Sequence, residues 1–219
     1  MSWETFRITL EDGSDIEARR TSPAAQPGWL FIYSPGAGSN IHDPFGKYLS
    51  EQLASADVAC VRFQFPYMEA RKRGPDRPPI LEATWCAVID AVREPGLKLC
   101  VGGRSMGGRI GSQVVASGTE ADAIALFAYP LHPPGKPERR RDAHLVDLAV
   151  PTLFCCGDRD AFGTTDELGD LAKAMPNARH HVLAGADHGF SVKKSDQRTR
   201  EDVWEEAVAT FVDWLEELR

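Results

Sequence analysis

Residues far apart along the chain carry the chemistry of a nucleophilic relay. Gly103-Arg104-Ser105-Met106-Gly107 fits the pattern G-x-S-x-G. A short apolar run (Leu97, Leu99, Cys100, Val101) precedes it, and helical spacing through Ile110, Val114 and Val115 follows. A turn this tight between strand and helix lifts a serine hydroxyl above the end of a sheet, in strained backbone geometry. Glycines two places either side avoid collisions there. A serine hydroxyl is a weak nucleophile until a base takes its proton. Imidazole does so near neutral pH when a carboxylate fixes its tautomer and steadies the imidazolium. His188 follows the last apolar strand in Ala186-Asp187-His188-Gly189-Phe190 and is the candidate base. Gly157-Asp158-Arg159-Asp160 follows an earlier strand, with Asp160 the first choice for the acid and Asp158 the second. His180 and His181 lie inside a strand, and His42 and His144 lack a strand-end setting; His132 follows a strand end and is expected to line the pocket.

The charge developing on a tetrahedral intermediate needs two preset backbone N–H groups. Met106, next after the serine, supplies one, and the helix it opens aims further free N–H groups the same way. The second is expected from Ser34-Pro35-Gly36-Ala37-Gly38-Ser39, most simply from Ala37, with Gly38 as the alternative.

The elements that must position these groups follow from patterning. Thr5 to Leu10 and Asp15 to Arg19, joined at Asp12-Gly13, predict an antiparallel edge hairpin. Continuous apolar runs at Trp29 to Tyr33, Val58 to Phe63, Ala123 to Phe127 and Val150 to Cys156 predict buried strands, and Arg179 to Leu183 a last one. Helices are expected over Pro44 to Ala56, Ile80 to Val92, Thr165 to Met175 (capped by Thr165 or Asp166) and Asp202 to Leu218. Pro66 to Pro79 reads as a loop, and Tyr129 to Pro137 is too proline-rich for helix or strand. Strands alternating with helices predict an α/β fold: a mostly parallel sheet with helices on both faces and the hairpin at one edge. No interval is long enough for a large cap domain, so the expectation is one domain over residues 1–219, its active face roofed only by loops.

Composition bounds the partners. The chain has 219 residues, 42% hydrophobic and 26% charged, with a formal net charge of −7. That balance argues against general affinity for nucleic acid or anionic membrane. The segment MSWETFR is not a basic-then-apolar leader, and no apolar run approaches a membrane span. The five cysteines (Cys60, Cys86, Cys100, Cys155, Cys156) lie mostly in or beside apolar runs and fit reduced core thiols, so a cytoplasmic location is expected. No His/Cys/carboxylate cluster has ligand spacing, and neither metal nor cofactor is expected.

Together these residues resemble the α/β-hydrolase superfamily, from Trp29 onward, including its order of Ser, then Asp, then His. Within it the chain resembles the compact, capless dienelactone-hydrolase-like group, nearest to small proteins related to a hydrolase-like subunit of the non-specific-lethal chromatin complex. The segments that carry this are Ser34 to Gly38, Arg62-Phe63-Gln64-Phe65-Pro66-Tyr67, Gly102 to Arg109, Tyr129 to Lys136, Gly157 to Thr164 and Asp187-His188. The resemblance implies a hydrolase with Ser105, Asp160 and His188 at the triad positions and Ala37 and Met106 at the oxyanion hole. Two features depart from the pattern. Ser34-Pro35-Gly36 replaces the usual His-Gly, and Ser105 stands where dienelactone hydrolases proper use cysteine, so their substrate does not carry over.

The expected reaction is cleavage of a small carboxylic ester or thioester. Two basic clusters, Arg71-Lys72-Arg73 with Arg77 and Arg139-Arg140-Arg141, leave carboxyl ends of strands, beside Arg104 and Arg109. They predict a positive rim suited to anionic substrates; solvated arginines on loops are the plainer alternative. Gly38, Tyr67, Arg104, His132 and Arg139 complete the candidate substrate-binding set. The rival reading is a non-catalytic interaction module of the same fold, with Tyr129 to Lys136 as its docking surface.

Overall fold

The computed structural model describes residues 1–146 and 148–219. One eight-stranded sheet runs through it in the order β1-β2-β4-β3-β5-β6-β7-β8. Strands β1 (Ser2–Thr9) and β2 (Asp15–Ser22) form the antiparallel hairpin, in a register that sets Ile8 opposite Ile16. Gly13, at φ 80°, makes the turn, and the Asp12 carboxylate accepts from the Ser14 N–H at 2.9 Å. Strand β2 then pairs antiparallel with β4 (Val58–Phe63). From there β3 (Trp29–Ser34), β5 (Lys98–Arg104), β6 (Ala123–Phe127), β7 (Thr152–Gly157) and β8 (Ala178–Leu183) continue the sheet in parallel.

Every residue of β3, β4, β6 and β7 is buried, because helices cover both faces of the parallel part. The period of two along a strand divides the core. Leu30 and Ile32 face one apolar cluster with Trp85, Val88 and Ile110, contributed by α3 (Pro78–Val92) and α4 (Met106–Ala116). Trp29, Phe31 and Tyr33 face the other, with Phe45 and Leu49 of α1 (Pro44–Ser55) and Phe211 of α6 (Arg200–Glu217). There Phe31 meets Phe127 and Phe211 at ring-centroid distances of 6.4 and 4.8 Å.

Local chemistry corrects several expected boundaries. The stretch read as a loop from Pro66 contains a short helix, α2 (Pro66–Glu69), with Pro66 at the first turn, where proline is favoured. For the same reason α3 starts at Pro78 rather than Ile80. The cap of α5 (Thr165–Ala174) is Thr164, not Thr165 or Asp166, because Thr164 and Glu167 close a reciprocal capping box. Thr199 and Asp202 do the same for α6, which therefore begins earlier than expected. Among the described residues no helix is long and apolar enough to cross a membrane.

Phe31→Ala, which empties a fully buried position between two aromatic neighbours, is expected to destabilise the fold by about 3–5 kcal/mol. A urea midpoint within experimental error of wild type would contradict the packing described.

Candidate active site

The carboxyl ends of β3, β5, β7 and β8 lie along one rim of the sheet, where open α/β sheets carry their ligands. Ser105 sits between β5 and α4 with φ 51° and ψ −122°, a left-handed conformation that strains a residue other than glycine. Its N–H donates to the Phe127 carbonyl at 2.9 Å, fixing the turn to the neighbouring strand. The end of β3 crowds it from the other side. A Cβ on Gly103 or on Gly107 would stand 2.2 Å from the Ser34 carbonyl oxygen. Only glycine lets these backbones meet.

His188 reaches this serine from the loop after β8. The Ser105 hydroxyl donates to Nε2 at 2.9 Å, and Nδ1–H donates to Asp160 Oδ2 at 2.7 Å. The Asp160 side chain is fully buried, and its other oxygen accepts the Phe162 N–H at 2.8 Å. The Phe162 ring stacks on the imidazole at 4.1 Å. Asp158 does something else: it is exposed and accepts the Gly185 N–H at 2.9 Å, holding the loop that leads to His188. Asp187 shapes that loop from within, one oxygen accepting the N–H groups of Gly189 and Ser191 at 2.8 and 2.9 Å.

Facing Ser105 is the turn after β3, closed by Ser39 N–H to Gly36 carbonyl at 3.0 Å. The N–H groups of Ala37 and Gly38 have no backbone partner among the described residues, and both residues line the cleft. Met106 opens α4, so its N–H has no intrahelical partner. These N–H groups are left without backbone partners beside Ser105, the kind of donor a developing oxyanion requires. Tyr67 lies beneath this turn rather than in the cleft, its hydroxyl donating to the Ala37 carbonyl at 2.8 Å. Burial, then the charge of Asp76, pushes its ionisation well up, so the hydroxyl stays a donor.

Arg104 ties the parts together. One Nη donates to the His188 carbonyl at 3.1 Å; the other lies 3.6 Å from Asp43 Oδ1, and the guanidinium covers the Phe190 ring at 5.6 Å. Asp43 is buried, caps α1 through the Gly46 N–H at 2.9 Å, and accepts the Tyr33 hydroxyl. Burial and the nearby Asp43 charge keep that phenol protonated, as a donor must be. Asp43, Tyr33 and Phe162 escape sequence reasoning. Asp43 before Pro44 signals a helix cap, but no local pattern links that cap to Arg104.

The remaining candidates scatter. His132 does not line the cleft. Its nitrogens face the Pro133 carbonyl at 3.0 Å and Glu167 at 3.2 Å, and first that carbonyl, then Glu167, raises its proton affinity. Arg139 is exposed and lies outside the cleft lining, while Arg140 turns to Asp142 at 2.9 Å. Arg71, Lys72, Arg73 and Arg77 are exposed and also outside it. Arg141 and Arg109 are the basic residues that join Arg104 in the cleft, which has a volume of about 700 Å³.

Behind the cleft, Ser112 on α4 meets His144 Nε2 at 2.9 Å. Burial, then the charge of Arg109, pushes this imidazole down from 6.5 to about 4. The unfolded chain takes up the proton near 6.5 and the folded chain only near 4, so between these values the unfolded state binds more protons. Stability present above pH 6.5 is therefore lost as pH falls toward about 4. His144→Asn is expected to shrink the drop in urea midpoint between pH 7 and pH 4.5, roughly the span over which such a group titrates. An unchanged drop would contradict the assignment.

Residues 28–216 match a family described as the alpha/beta hydrolase domain. Among solved structures the chain is similar to an alpha-beta serine hydrolase homologue from Coxiella burnetii, at 19% identity over 98% of each chain, with a TM-score of 0.78. It is similar to Est1E from Butyrivibrio proteoclasticus at 15% identity, over 97% of this chain and 99% of that one, with a TM-score of 0.74. The esterase domain of a Rhodothermus marinus protein matches at 18% identity over 98% of each chain, with a TM-score of 0.70. At such identities the likeness is one of fold. The family match runs from β3 through the elbow and the histidine loop into α6, and by it the chain belongs to the alpha/beta hydrolase domain family.

Proposed function

We propose that the protein is a serine hydrolase of the esterase type, cleaving a small carboxylic ester or thioester through Ser105, His188 and Asp160. The observation that carries this reading is the unbroken hydrogen-bonded line from Ser105 Oγ through the imidazole to a buried carboxylate. A scaffold has no physical need of that alignment. The names of structural neighbours support the same class, since Est1E, solved with ferulic acid bound, and the Rhodothermus domain share the fold.

In this mechanism Ser105 Oγ attacks the carbonyl carbon as His188 Nε2 accepts its proton. The carbonyl π electrons move onto oxygen, which faces the N–H of Met106 and that of Ala37 or Gly38. Asp160 stabilises the imidazolium. Collapse of the intermediate breaks the bond to the alcohol or thiol, which leaves with the proton from Nε2, and an acyl-serine remains. Ser105 and His188 are both partly exposed, so water reaches the ester. His188 deprotonates that water, and the second intermediate releases the acid and restores Ser105.

A fluorophosphonate probe should label wild type at Ser105 and leave Ser105→Ala unlabelled. Asp160→Asn should lower kcat for a p-nitrophenyl ester about ten-thousandfold, the scale on which a wrong tautomer acts. Folded wild type that takes no label would overturn the hydrolase reading and favour the interaction module. Arg104→Met, which releases the histidine loop, should lower kcat about 10- to 100-fold with a smaller change in KM. An unaltered kcat would remove Arg104 as a positioning residue.

A further inference from the structure

The charges lining the cleft do not balance. Asp43 is the carboxylate in its wall, and it is engaged by Arg104 at 3.6 Å. Asp160 stands behind the imidazole, fully buried and bonded to His188 and the Phe162 N–H. Arg109 and Arg141 remain, and among the described residues neither forms an ion pair. Burial lowers the proton affinity of Arg109, and the nearby Arg141 lowers it further against the opposing influence of Tyr129 and Glu82.

Both guanidiniums are built in. Arg109 is one turn beyond Ser105 on α4, with an Nη donating to Gln113 at 3.1 Å and an Nε that is buried without a partner. Arg141 has its backbone clamped on both sides: its N–H donates to the Leu131 carbonyl at 2.8 Å, and its carbonyl accepts the Tyr129 hydroxyl at 2.6 Å. Two partly buried cations beside a nucleophile, with no ion-pair partner among the described residues and Glu82 acting on Arg109 only at longer range, are a standing electrostatic penalty unless an anion joins them. Four residues of helix separate Ser105 from Arg109 by about 6 Å along the axis. That gap suits a spacer of a few carbons between a reacting carbonyl and a terminal anion.

We infer that Arg109 and Arg141 form an oxyanion subsite that selects esters or thioesters whose acyl chain ends in a carboxylate. This rests on the serine-hydrolase reading for its chemistry, but the binding itself does not. The guanidiniums supply charge-assisted hydrogen bonds to the terminal carboxylate and hold the ester carbonyl over Ser105.

The test uses the full-length protein and two matched substrates, mono-p-nitrophenyl glutarate and p-nitrophenyl valerate. Wild type should favour the anionic ester in kcat/KM by about tenfold or more, the scale of a charge-assisted hydrogen bond. That ratio should fall toward one in Arg109→Gln/Arg141→Gln, and Arg141→Lys should retain part of it. A ratio near one in wild type, or one kept by the double variant, overturns the subsite while leaving the hydrolase reading intact. Loss of turnover on both esters, with no fluorophosphonate labelling, overturns the hydrolase reading instead. The subsite is then judged by heat: glutarate at constant ionic strength should raise the Tm of wild type but not of the double variant. Equal shifts, or none, would overturn it. Inorganic phosphate in the same assay separates a carboxylate site from a phosphate site, and a larger shift with phosphate would overturn the choice of carboxylate.

Discussion

The Ser34 carbonyl oxygen is the point against which the whole rim is built. Gly103 and Gly107 both press their Cα atoms toward it, from the two sides of Ser105, at distances no side chain would allow. That contact fixes how deep the elbow sits beside β3. It also borders the turn that leaves β3, where a Cβ on Gly36 would make an ordinary contact with Ser105 Cβ at 3.4 Å. The serine and the N–H groups opposite it are thus set by one close approach of backbone to backbone. Side-chain packing below, around Phe31 and Trp85, makes that approach rigid.

The histidine loop is held differently, by polar ties spread over three elements. Asp158 anchors its beginning, Asp187 folds its middle, and Arg104 grips the His188 carbonyl from the elbow itself. Since Arg104 also leans on Asp43, the cap of α1, a displacement of that helix would be felt at the imidazole. The packed glycines define where the hydroxyl is, and the charged residues define where the imidazole is.

Much of this is written locally and was legible. G-x-S-x-G after an apolar run, and a histidine after the last strand, are short-range patterns with a mechanical meaning, and the fold brings those two side chains together. Asp160 ranked ahead of Asp158 by its G-x-x-D position, but both follow the same strand and no local pattern decides between them. They differ only in what faces them, an N–H of the next loop or an imidazole. The arginines at 139–141 were harder still. In an irregular, proline-rich segment no period fixes side-chain direction. Three consecutive residues accordingly go to solvent, to Asp142 and into the cleft. Arg104 looked like a substrate contact from its place in the motif, whereas its partners come from residues 43 and 188, which sequence distance conceals.

The sulfur chemistry of the core has a consequence for selectivity. Cys60, Cys100, Cys155 and Cys156 are buried, and burial pushes their thiols up, Cys60 and Cys156 to about 12. At neutral pH they carry almost no thiolate, although sulfur is ordinarily the stronger nucleophile. Cys86, partly exposed on α3 beside Thr119, is the remaining thiol. The fold therefore quiets four of its five thiols, and Cys86 alone is left partly open to solvent. If Ser105 takes up an acyl group as proposed, the softer atoms inside the sheet do not compete for it.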